Sequence, residues 1–279
     1  MPKTIVITGA SDGIGAAAAR QLRLHGHRIV VVGRSPRKTA KVADELGADG
    51  FTADFTSLAE VRKLAADLDA ACPRIDVLVN NAGGIFGDRD KTADGFEKTL
   101  QINHLAPFLL TNLLMDKLLA GKASVIQTSS VGARLFGRLD IDDLDNDAGY
   151  TAHRAYGTAK LENILFTKEL HARFASYGLS AAAFHPGAVA TGFAAGSKSF
   201  MRPVYGNPLS RFFMARPEKG ARQMVRLADG TPGTDWQSGT YYESGRPARR
   251  NHPQADDAGL ARALWNRSSE LVGVDNLNP

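Results

Sequence analysis

The sequence lacks several features that whole classes of protein need. Its single cysteine, Cys72, cannot form an internal disulfide, and nothing indicates an oxidising compartment. The apolar run at 4–7 is too short for a signal peptide or a membrane span, and polar side chains interrupt the stretch near 102–119. The seven histidines show no H-E-x-x-H or Cys/His spacing. We therefore expect a cytoplasmic protein with no membrane insertion and no metal site.

The composition is that of a globular chain. Its 279 residues are 43% hydrophobic and 23% charged, which excludes disorder and low-complexity fibres. One domain spanning 1–279 fits this length. The 34 Lys and Arg residues against 29 Asp and Glu residues give a net charge of +5, which suits a nucleic acid, an anionic membrane surface or a phosphorylated ligand. The arginines at 246–250 have no interleaved aromatics, so we interpret them as a solvated loop and expect no nucleic-acid partner.

Short β-branched runs alternate with longer helical patterns along most of the chain. The strand-like runs lie at 4–7, 28–32, 49–53, 76–79, 124–127, 179–184 and 239–243. The helical patterns lie at 13–25, 37–46, 57–71, 97–119, 153–176 and 256–272. Runs that are apolar on both faces favour parallel strands covered by helices. The alternation therefore predicts an α/β fold, a Rossmann-type doubly wound parallel sheet of about seven strands in a single domain.

Two stretches break this alternation. Residues 134–152 are a polar, Asp-rich insertion, and residues 192–216 mix glycine, proline and arginine with phenylalanine and methionine. Long irregular segments in compact domains are usually functional, so we predict a substrate lid at 192–216. Its apolar side chains favour an apolar substrate, although they also suit simple packing of the loop onto the core.

The helix predicted at 57–71 has a candidate N-terminal cap. Thr56 or Ser57 is placed to cap it, with Glu60 available for a capping box.

A glycine-rich turn, TGASDGIG at 8–15, directly follows the first strand and opens the first helix. Its glycines allow close backbone approach to a pyrophosphate, and the helix N-terminus supplies unpaired N–H donors. The spacing is G-x-x-x-G-x-G rather than G-x-G-x-x-G, so by itself it also suits an ordinary turn. The strand–turn–helix context favours a dinucleotide site. The turn residues expected to bind the dinucleotide are Gly9, Ser11, Asp12, Gly13, Ile14 and Gly15.

The end of the second strand distinguishes the two nicotinamide dinucleotides. An acidic residue there binds the ribose hydroxyls of NAD, whereas an arginine accommodates the 2′-phosphate of NADP. Here Arg34, Arg37 and Lys38 follow the strand, and no carboxylate does. A solvated basic helix start is the alternative, and it is disfavoured because cations oppose the dipole at a helix N-terminus. We predict NADP(H), with Arg34 and Arg37 as phosphate ligands.

Tyr156 and Lys160 lie four residues apart in a predicted helix and so share one face. A free tyrosine has a pKa of about 10, too high for efficient proton exchange at neutral pH, and a nearby cation lowers it. The spacing by itself is also typical of a solvated helix face. Other motifs are needed to decide between the two.

Those motifs occur in a fixed order along residues 1–245. They are TGASDGIG at 8–15, NNAG at 80–83, Asn103, TSSVG at 128–132, the Tyr156/Lys160 pair and HPGAVAT at 185–191. In this order they resemble the short-chain dehydrogenase/reductase family. The runs NHLAPFLLTNLL at 103–114 and AYGTAKLEN at 155–163 are most similar to its retinol-dehydrogenase-like branch. Membrane-bound members of that branch carry an N-terminal anchor, which we do not expect here.

The resemblance implies a catalytic group of Asn103, Ser130, Tyr156 and Lys160. Ser130 would stabilise charge on a carbonyl oxygen, and Tyr156 would exchange the proton with that oxygen. Lys160 would lower the pKa of the tyrosine and hold the nicotinamide ribose, and Asn103 would support a water-linked proton path. Ser129 is the alternative to Ser130, although the following Val-Gly favours Ser130. Asn103 is alternatively a residue that kinks its helix.

The resemblance also implies cofactor contacts beyond the glycine turn. They are Asp54, Asn80, Ala82, Gly83, Tyr156, Lys160, Pro186, Gly187, Val189 and Thr191. The implied function is hydride transfer between NADP(H) and a carbonyl or alcohol group of a small, apolar substrate. A non-catalytic NADP-binding regulatory protein and a pigment-reductase-like enzyme remain alternatives. The apolar helices at 97–119 and 153–176 suit either a homodimer bundle or burial against the sheet.

Overall fold

The computed structural model describes residues 1–187 and 217–275, which build one sheet covered by helices on both faces. Its strands are β1 Thr4–Thr8, β2 Arg28–Gly33, β3 Asp49–Thr52, β4 Val77–Asn80, β5 Ser124–Thr128, β6 Ser180–His185, β7 Thr240–Glu243 and β8 Arg246–Pro247. The strand order is β3-β2-β1-β4-β5-β6-β7-β8, and every pair is parallel except β7 with β8. The predicted doubly wound parallel sheet is confirmed. The sequence pattern does not predict β8, because its two residues are too few to show a periodicity.

Helices occupy the connections between these strands, and one helix follows the last strand. They are α1 Gly13–Leu24, α2 Pro36–Leu46, α3 Leu58–Ala71, α4 Lys98–Leu100, α5 Ala106–Leu113, α6 Met115–Ala120, α7 Gly132–Phe136, α8 Ala152–Phe174, α9 Pro217–Asp229 and α10 Ala258–Val272. Asp12 caps α1 and Thr151 caps α8 through their side-chain oxygens. Ser57 caps α3 as predicted, but Glu60 accepts from the N–H of Asp54, so no capping box forms.

The chain reverses its winding direction between β1 and β4, and ligands of open α/β sheets bind at such a point. The Thr8 hydroxyl joins the two strand ends. It donates to the Val79 carbonyl at 3.2 Å and accepts from the N–H groups of Asn81 and Ala82 at 3.0 Å each. The Asn81 amide also donates to the Thr8 carbonyl at 2.9 Å. These bonds set the spacing of the two loops that leave the sheet here.

Alternating side chains of the strands contribute to two separate cores. Ile5 and Ile7 of β1 pack with α1, α2 and α9 on one face of the sheet. Val6 packs with α3, α5 and α8 on the other face. All three side chains are fully buried because both faces are covered. This double burial is the physical reason that the central strands are continuous apolar runs.

The C-terminal helix α10 docks against α8 and α5 through one large aromatic side chain. The Trp265 ring lies 5.1 Å from Phe108, 5.7 Å from Phe166 and 5.9 Å from Phe174, measured between ring centroids. The Arg173 guanidinium lies 4.7 Å from the Trp265 ring. As a result α8 is buried on nearly all sides from its second turn to Leu170.

The helix predicted over 97–119 is interrupted. The structure has α4, a π-helical segment Gln101–Leu105, and then α5 and α6. The Asn103 side chain lies within this segment and donates to the carbonyls of Thr99 at 2.9 Å and Gly84 at 3.0 Å. Pro107 follows and has no N–H for the helical ladder. A side chain that competes for a backbone carbonyl, followed by a proline, accounts for the wider turn.

Helix α9 is not predicted from the sequence. It follows the segment 192–216, for which we predict a substrate lid and which lies outside the described residues. Among the helices of residues 1–187 and 217–275, none combines the length and the apolarity needed to cross a membrane.

Candidate active site

A cleft of about 640 Å³ opens at the carboxyl ends of β1, β2 and β4. Most of the predicted cofactor residues line it: Gly9, Ser11, Asp12, Gly13, Ile14, Gly15, Arg34, Asp54, Ala82, Gly83, Tyr156 and Lys160. The predicted site residues that do not line it are Arg37, Asn80, Asn103, Ser130, Pro186 and Gly187. Val189 and Thr191 lie outside the described residues. In the described ranges, no three His, Cys, Asp or Glu side chains are placed to hold a metal ion.

The glycine turn leaves its backbone open to the cleft. Gly9 has a φ of +66°, which side chains other than glycine rarely adopt. A β-carbon at Gly15 would lie 2.5 Å from the Gly9 carbonyl oxygen, and one at Gly33 would lie 2.6 Å from Ser11 Oγ. The missing side chains thus let the turn, α1 and the end of β2 approach each other. The arrangement forms a cradle of backbone atoms at a helix N-terminus, which suits a phosphate group.

Three basic side chains follow β2 and differ in their placement. Arg34 is exposed, lines the cleft and has no ion-pair partner among the described residues. Lys38 also lines the cleft, and its Nζ lies 2.6 Å from Asp12 Oδ2. The hydrogen bond from Lys38 holds the pKa of Asp12 below its usual range. Arg37 is exposed and does not line the cleft. Of the three basic side chains, Arg34 and Lys38 therefore line the cleft.

The two asparagines of the NNAG run separate into different environments. Asn80, predicted to place the cofactor, is buried, and its Nδ2 donates to the Thr111 hydroxyl at 2.9 Å. It therefore ties β4 to α5. Asn81 lines the cleft instead, and the sequence signals it only through its position next to Asn80. Further lining residues have no sequence signal, because the chain that follows β4 carries them into place: Gly84, Ile85 and Phe86 of the loop, and Lys98 at the start of α4.

Tyr156 and Lys160 lie one turn apart near the start of α8, and both line the cleft. The Lys160 Nζ lies 5.6 Å from the centroid of the Tyr156 ring and donates to the Thr128 carbonyl at 3.1 Å. Lys160 is only 2% exposed, and this burial lowers its pKa to about 7. The pair is therefore a phenol beside an amine that gains or loses a proton near neutral pH.

The two serines at the end of β5 face different ways. The Ser129 hydroxyl is buried and donates to the backbone carbonyl of Lys160 at 2.7 Å, so it anchors α8. The Ser130 Oγ accepts from the Gly132 N–H at 3.1 Å. A β-carbon at Gly132 would lie 3.3 Å from Ser130 Oγ and 3.2 Å from Tyr156 Cε1, so the hydroxyl and the phenol ring approach the same point. Ser130 is thus the serine beside the tyrosine.

Asn103 lies behind Lys160. Its Oδ1 accepts from the Gly84 N–H at 3.2 Å. A β-carbon at Gly83 would lie 2.5 Å from Asn103 Oδ1 and 3.2 Å from Lys160 Nζ, so both side chains converge on this glycine. Asn103 also lies in the π-helical segment, so it is both next to Lys160 and at the irregular turn of its helix.

The match to known proteins covers most of the chain. Residues 3–201 match the family model described as short chain dehydrogenase. The chain belongs to this family. A candidate daunorubicin C-13 ketoreductase of Streptomyces sp. (strain C5) is 41% identical over 278 residues, which cover 97% of this chain and 93% of that protein. Retinol dehydrogenase 13 of Homo sapiens is 34% identical over 285 residues, which cover 98% of this chain and 85% of that protein.

Solved structures of similar proteins share the fold of this short chain dehydrogenase. A protein from Mycobacterium paratuberculosis superposes with a TM-score of 0.78 at 31% identity and covers 99% of this chain and 95% of its own. The Pseudomonas aeruginosa RhlG/NADP active-site complex superposes with a TM-score of 0.69 at 25% identity, covering 87% of this chain and 94% of its own. The similarity to the retinol-dehydrogenase-like branch, expected from the motifs, is confirmed.

Proposed function

We propose that this dehydrogenase is a single domain over 1–279 that transfers a hydride between NADP(H) and a carbonyl or alcohol group of a small, apolar substrate. The observation that carries the proposal is the placement of Tyr156 and Lys160 in the cleft with the Ser130 hydroxyl beside the phenol ring. Carbonyl reduction needs a donor to the carbonyl oxygen, an acid for the proton and a means of lowering the pKa of that acid. This cluster supplies all three.

Each side chain has a step that its position supports. Ser130 Oγ donates a hydrogen bond to the substrate oxygen and stabilises the negative charge that develops there. Tyr156 donates its phenolic proton to that oxygen in reduction and takes it back in alcohol oxidation. The Lys160 ammonium beside the ring favours the phenolate, and its pKa of about 7 lets it exchange a proton at neutral pH. A bound reduced nicotinamide supplies the hydride.

The cleft residues fit a dinucleotide with a 2′-phosphate. The glycine cradle at the N-terminus of α1 would hold the pyrophosphate, since a β-carbon at Gly15 or Gly33 would fill it. Arg34 faces the cleft without an ion-pair partner among the described residues, and no carboxylate ends β2. Asp54 lines the same cleft and would contact the adenine. These features support NADP(H) rather than NAD(H).

Apolar side chains near the site support an apolar substrate. Ile85, Phe86 and Ile102 line the cleft. Leu135 and Phe136 of α7 are 58% and 47% exposed, a few residues after Ser130. The names of the two relatives, a ketoreductase and a retinol dehydrogenase, both describe exchange between a carbonyl and an alcohol.

Replacing the phenol tests the reaction. NADPH oxidation is followed over a panel of apolar ketones and aldehydes with the wild-type protein, Tyr156→Phe and the control Tyr177→Phe, whose side chain is half exposed. We expect Tyr156→Phe to lower kcat by about 10²–10⁴-fold, the usual contribution of a general acid, and Tyr177→Phe to have no effect. Full turnover by Tyr156→Phe would refute the proposal.

Replacing Arg34 tests the choice of cofactor. We expect the wild-type protein to bind NADPH more tightly than NADH, and Arg34→Ala to reduce this preference about tenfold or more, because a phosphate contact is worth more than about 1.4 kcal/mol. Lys41→Ala, which replaces an exposed cation of α2 that does not line this cleft, is the matched control. Nucleotide titrations give the dissociation constants for NADPH and NADH. Tighter binding of NADH than of NADPH by the wild-type protein would contradict the assignment of NADP(H).

A further inference from the structure

The short loop between β3 and α3, residues 53–57, carries three of the residues that line the cleft. They are Ala53, Asp54 and Phe55. Within the loop, Asp54 Oδ1 accepts from the N–H and from the hydroxyl of Thr56 at 2.9 Å each. The other carboxyl oxygen, Oδ2, has no hydrogen-bond partner among the described residues. Oδ2 is therefore left to accept from a ligand, such as the amino group of an adenine.

A buried side-chain amide from a distant part of the chain holds this loop. Gln101, the first residue of the π-helical segment, is fully buried. Its Nε2 donates to the Phe55 carbonyl at 3.2 Å and to Asp94 Oδ2 at 2.7 Å. Its Oε1 accepts from the Thr92 hydroxyl. Every hydrogen-bonding group of this amide thus has a partner.

The partners also fix which way the Gln101 amide points. A backbone carbonyl and an ionised carboxylate can only accept, so the group that faces both of them must be the NH₂. The amide oxygen then lies toward the Thr92 hydroxyl, which donates to it. The amide has one orientation that satisfies all three partners, and in it the NH₂ is the donor to the Phe55 carbonyl.

Asp94 fixes the end of the same loop. Its Oδ2 also accepts from the N–H of Leu58, the first residue of α3, at 2.8 Å. At the start of the loop, the Ala53 N–H donates to the Gly33 carbonyl at 3.2 Å. Residues 53–57 are therefore held at their start by β2, in their middle by Gln101 and at their end by Asp94.

The π-helical segment connects two loops that border the cleft. Gln101 and Asn103 are two residues apart in a helical segment, so their side chains leave it in opposite directions. The Gln101 amide reaches the loop after β3, and Asn103 bonds to the backbone of Gly84 after β4. Ile102, between them, lines the cleft itself. One irregular turn thereby holds both loops in register.

We propose that Gln101 and Asp94 are positioning residues for the adenine side of the cofactor cleft. Neither of them lines the cleft, so they act through the loop that does. They fix the Phe55 carbonyl and the start of α3, and so the position from which Asp54 Oδ2 meets the adenine. The inference rests on the proposed function, since that function places a dinucleotide in the cleft with its adenine at Asp54.

Removal of the Gln101 amide frees the middle of the loop. A leucine at this position has a similar volume but cannot donate, so the buried Phe55 carbonyl and the Asp94 carboxylate each lose a partner. A buried carbonyl without a donor is unfavourable, and the loop moves to bring it to water. Asp54 then has to be ordered when the nucleotide binds, which weakens binding.

A second buried glutamine supplies a matched control. Gln127 is as buried as Gln101, but neither of its amide atoms has a hydrogen-bond partner among the described residues. Gln101→Leu and Gln127→Leu each remove one buried amide, and only the first touches residues 53–57. At the exposed Asp94, Asp94→Asn keeps an oxygen that can accept from both Gln101 and Leu58, whereas Asp94→Ala keeps none.

Hydrogen–deuterium exchange on the full chain tests the positioning without any ligand. We expect the amides of residues 53–57 to exchange about fivefold faster in Gln101→Leu and Asp94→Ala, the effect of losing one hydrogen bond. Exchange there should stay at the wild-type rate in Gln127→Leu and Asp94→Asn. The amides of β5 and α8 should be unchanged in Asp94→Ala, which separates a local effect on the loop from a general loss of stability.

Titrations with ADP and with 2′,5′-ADP, the adenine half of NADP, test the consequence for binding. We expect both nucleotides to bind about fivefold to tenfold more weakly to Gln101→Leu and Asp94→Ala than to the wild-type protein. The factor should be the same for both, because the inference concerns the adenine side and not the 2′-phosphate. Gln127→Leu and Asp94→Asn should bind both nucleotides as the wild-type protein does.

Unchanged exchange at residues 53–57, or unchanged affinity for ADP, in Gln101→Leu and Asp94→Ala would overturn the inference, as would equal effects in Gln127→Leu. If Gln101→Leu does not fold, the two Asp94 variants decide. Should the wild-type protein bind neither nucleotide, the proposed function fails, and the exchange measurement still shows whether Gln101 and Asp94 hold the loop. Failure of the proposed function is thereby distinguished from failure of the inference.

Discussion

Gly83 is the residue around which the buried part of the site is built. A β-carbon there would lie 2.5 Å from Asn103 Oδ1 and 3.2 Å from Lys160 Nζ, and Asn103 is held in place by its bonds to Gly84 and Thr99. Lys160 must therefore move. A displacement of about 1 Å in a catalytic group costs on the order of 100-fold in rate.

We expect Gly83→Ala to lower kcat by about 100-fold while the protein still folds. Gly259→Ala, on the exposed first turn of α10, is the control and should leave kcat unchanged. Steady-state kinetics and a thermal melt of each variant provide the comparison. A Gly83→Ala enzyme with wild-type kcat would show that Lys160 need not occupy its present position.

Glu162 is a buried carboxyl to which the proposed reaction assigns no step. It is fully buried on α8, and neither carboxyl oxygen has a hydrogen-bond partner among the described residues. Burial, with Glu97 nearby, raises its pKa to about 8. In the unfolded chain the value is about 4.3, so the folded state binds a proton more tightly, and the free energy of unfolding falls as pH rises between the two values.

We therefore expect Glu162→Gln to lose less stability than the wild-type protein as pH rises from about 4 to about 8. Urea denaturation at several pH values measures this difference. Glu270→Gln, exposed on α10, is the control and should follow the wild-type curve. Parallel curves for Glu162→Gln and the wild-type protein would mean that Glu162 is ionised in the folded state.

Single residues also show where sequence reasoning reaches its limit. The glycine turn and the Tyr156/Lys160 pair are recognisable because their backbone conformation and helical spacing are local properties. The choice between neighbours is not local. Asn81 rather than Asn80 faces the cleft, since the side chains of consecutive residues leave β4 in opposite directions.

Among the helices and strands, α10 is held against the core mainly by the aromatic contacts of one side chain. Trp265 is 1% exposed and packs on Phe108, Phe166 and Phe174. Truncating a buried tryptophan removes its contacts and leaves a cavity, which costs about 3–5 kcal/mol. Because α10 packs on α8, this loss weakens the helix that carries Tyr156 and Lys160.

We expect Trp265→Ala to lower the free energy of unfolding by about 3–5 kcal/mol. Chemical denaturation of Trp265→Ala measures this loss of stability. Arg262→Ala, which replaces an exposed residue of the same helix, is the control. A loss below about 1 kcal/mol in Trp265→Ala would mean that α10 contributes little to the core.

The elements with strong periodicity are the ones that the sequence predicts well. The seven predicted strands and the helices at 13–25, 37–46 and 153–176 agree with the structure within a few residues. The helical segment predicted over 97–119 is present but interrupted, because the side-chain bonds of Asn103 widen a turn that hydropathy alone would continue. The hydrophobic periodicity of a sequence does not reveal a side chain that competes for a backbone hydrogen bond.

For the molecule as a whole, the covering of α8 bears on the oligomeric state. The family resemblance leaves open a homodimer bundle through the helices at 97–119 and 153–176. In the structure α10 and its Trp265 pack against α8, and most residues of α8 are buried within one chain. A bundle through α8 would require α10 to leave.

We therefore expect a monomer of 29.8 kDa in solution. Size-exclusion chromatography with light scattering measures the mass directly. A stable dimer of the wild-type protein would contradict this expectation and would place the interface elsewhere than on α8. If replacing the exposed Leu113 abolishes such a dimer, the interface lies at α5.

The sequence by itself determined the family, the doubly wound sheet and the kind of chemistry. These follow from periodic burial, from glycine at a turn and from motif order, all of which depend on residues close together in the chain. Only the tertiary structure decided which of two adjacent side chains faces the cleft, and that Arg34 and Lys38 rather than Arg37 line it. Such placements depend on strand twist and helix packing, which join segments more than a hundred residues apart.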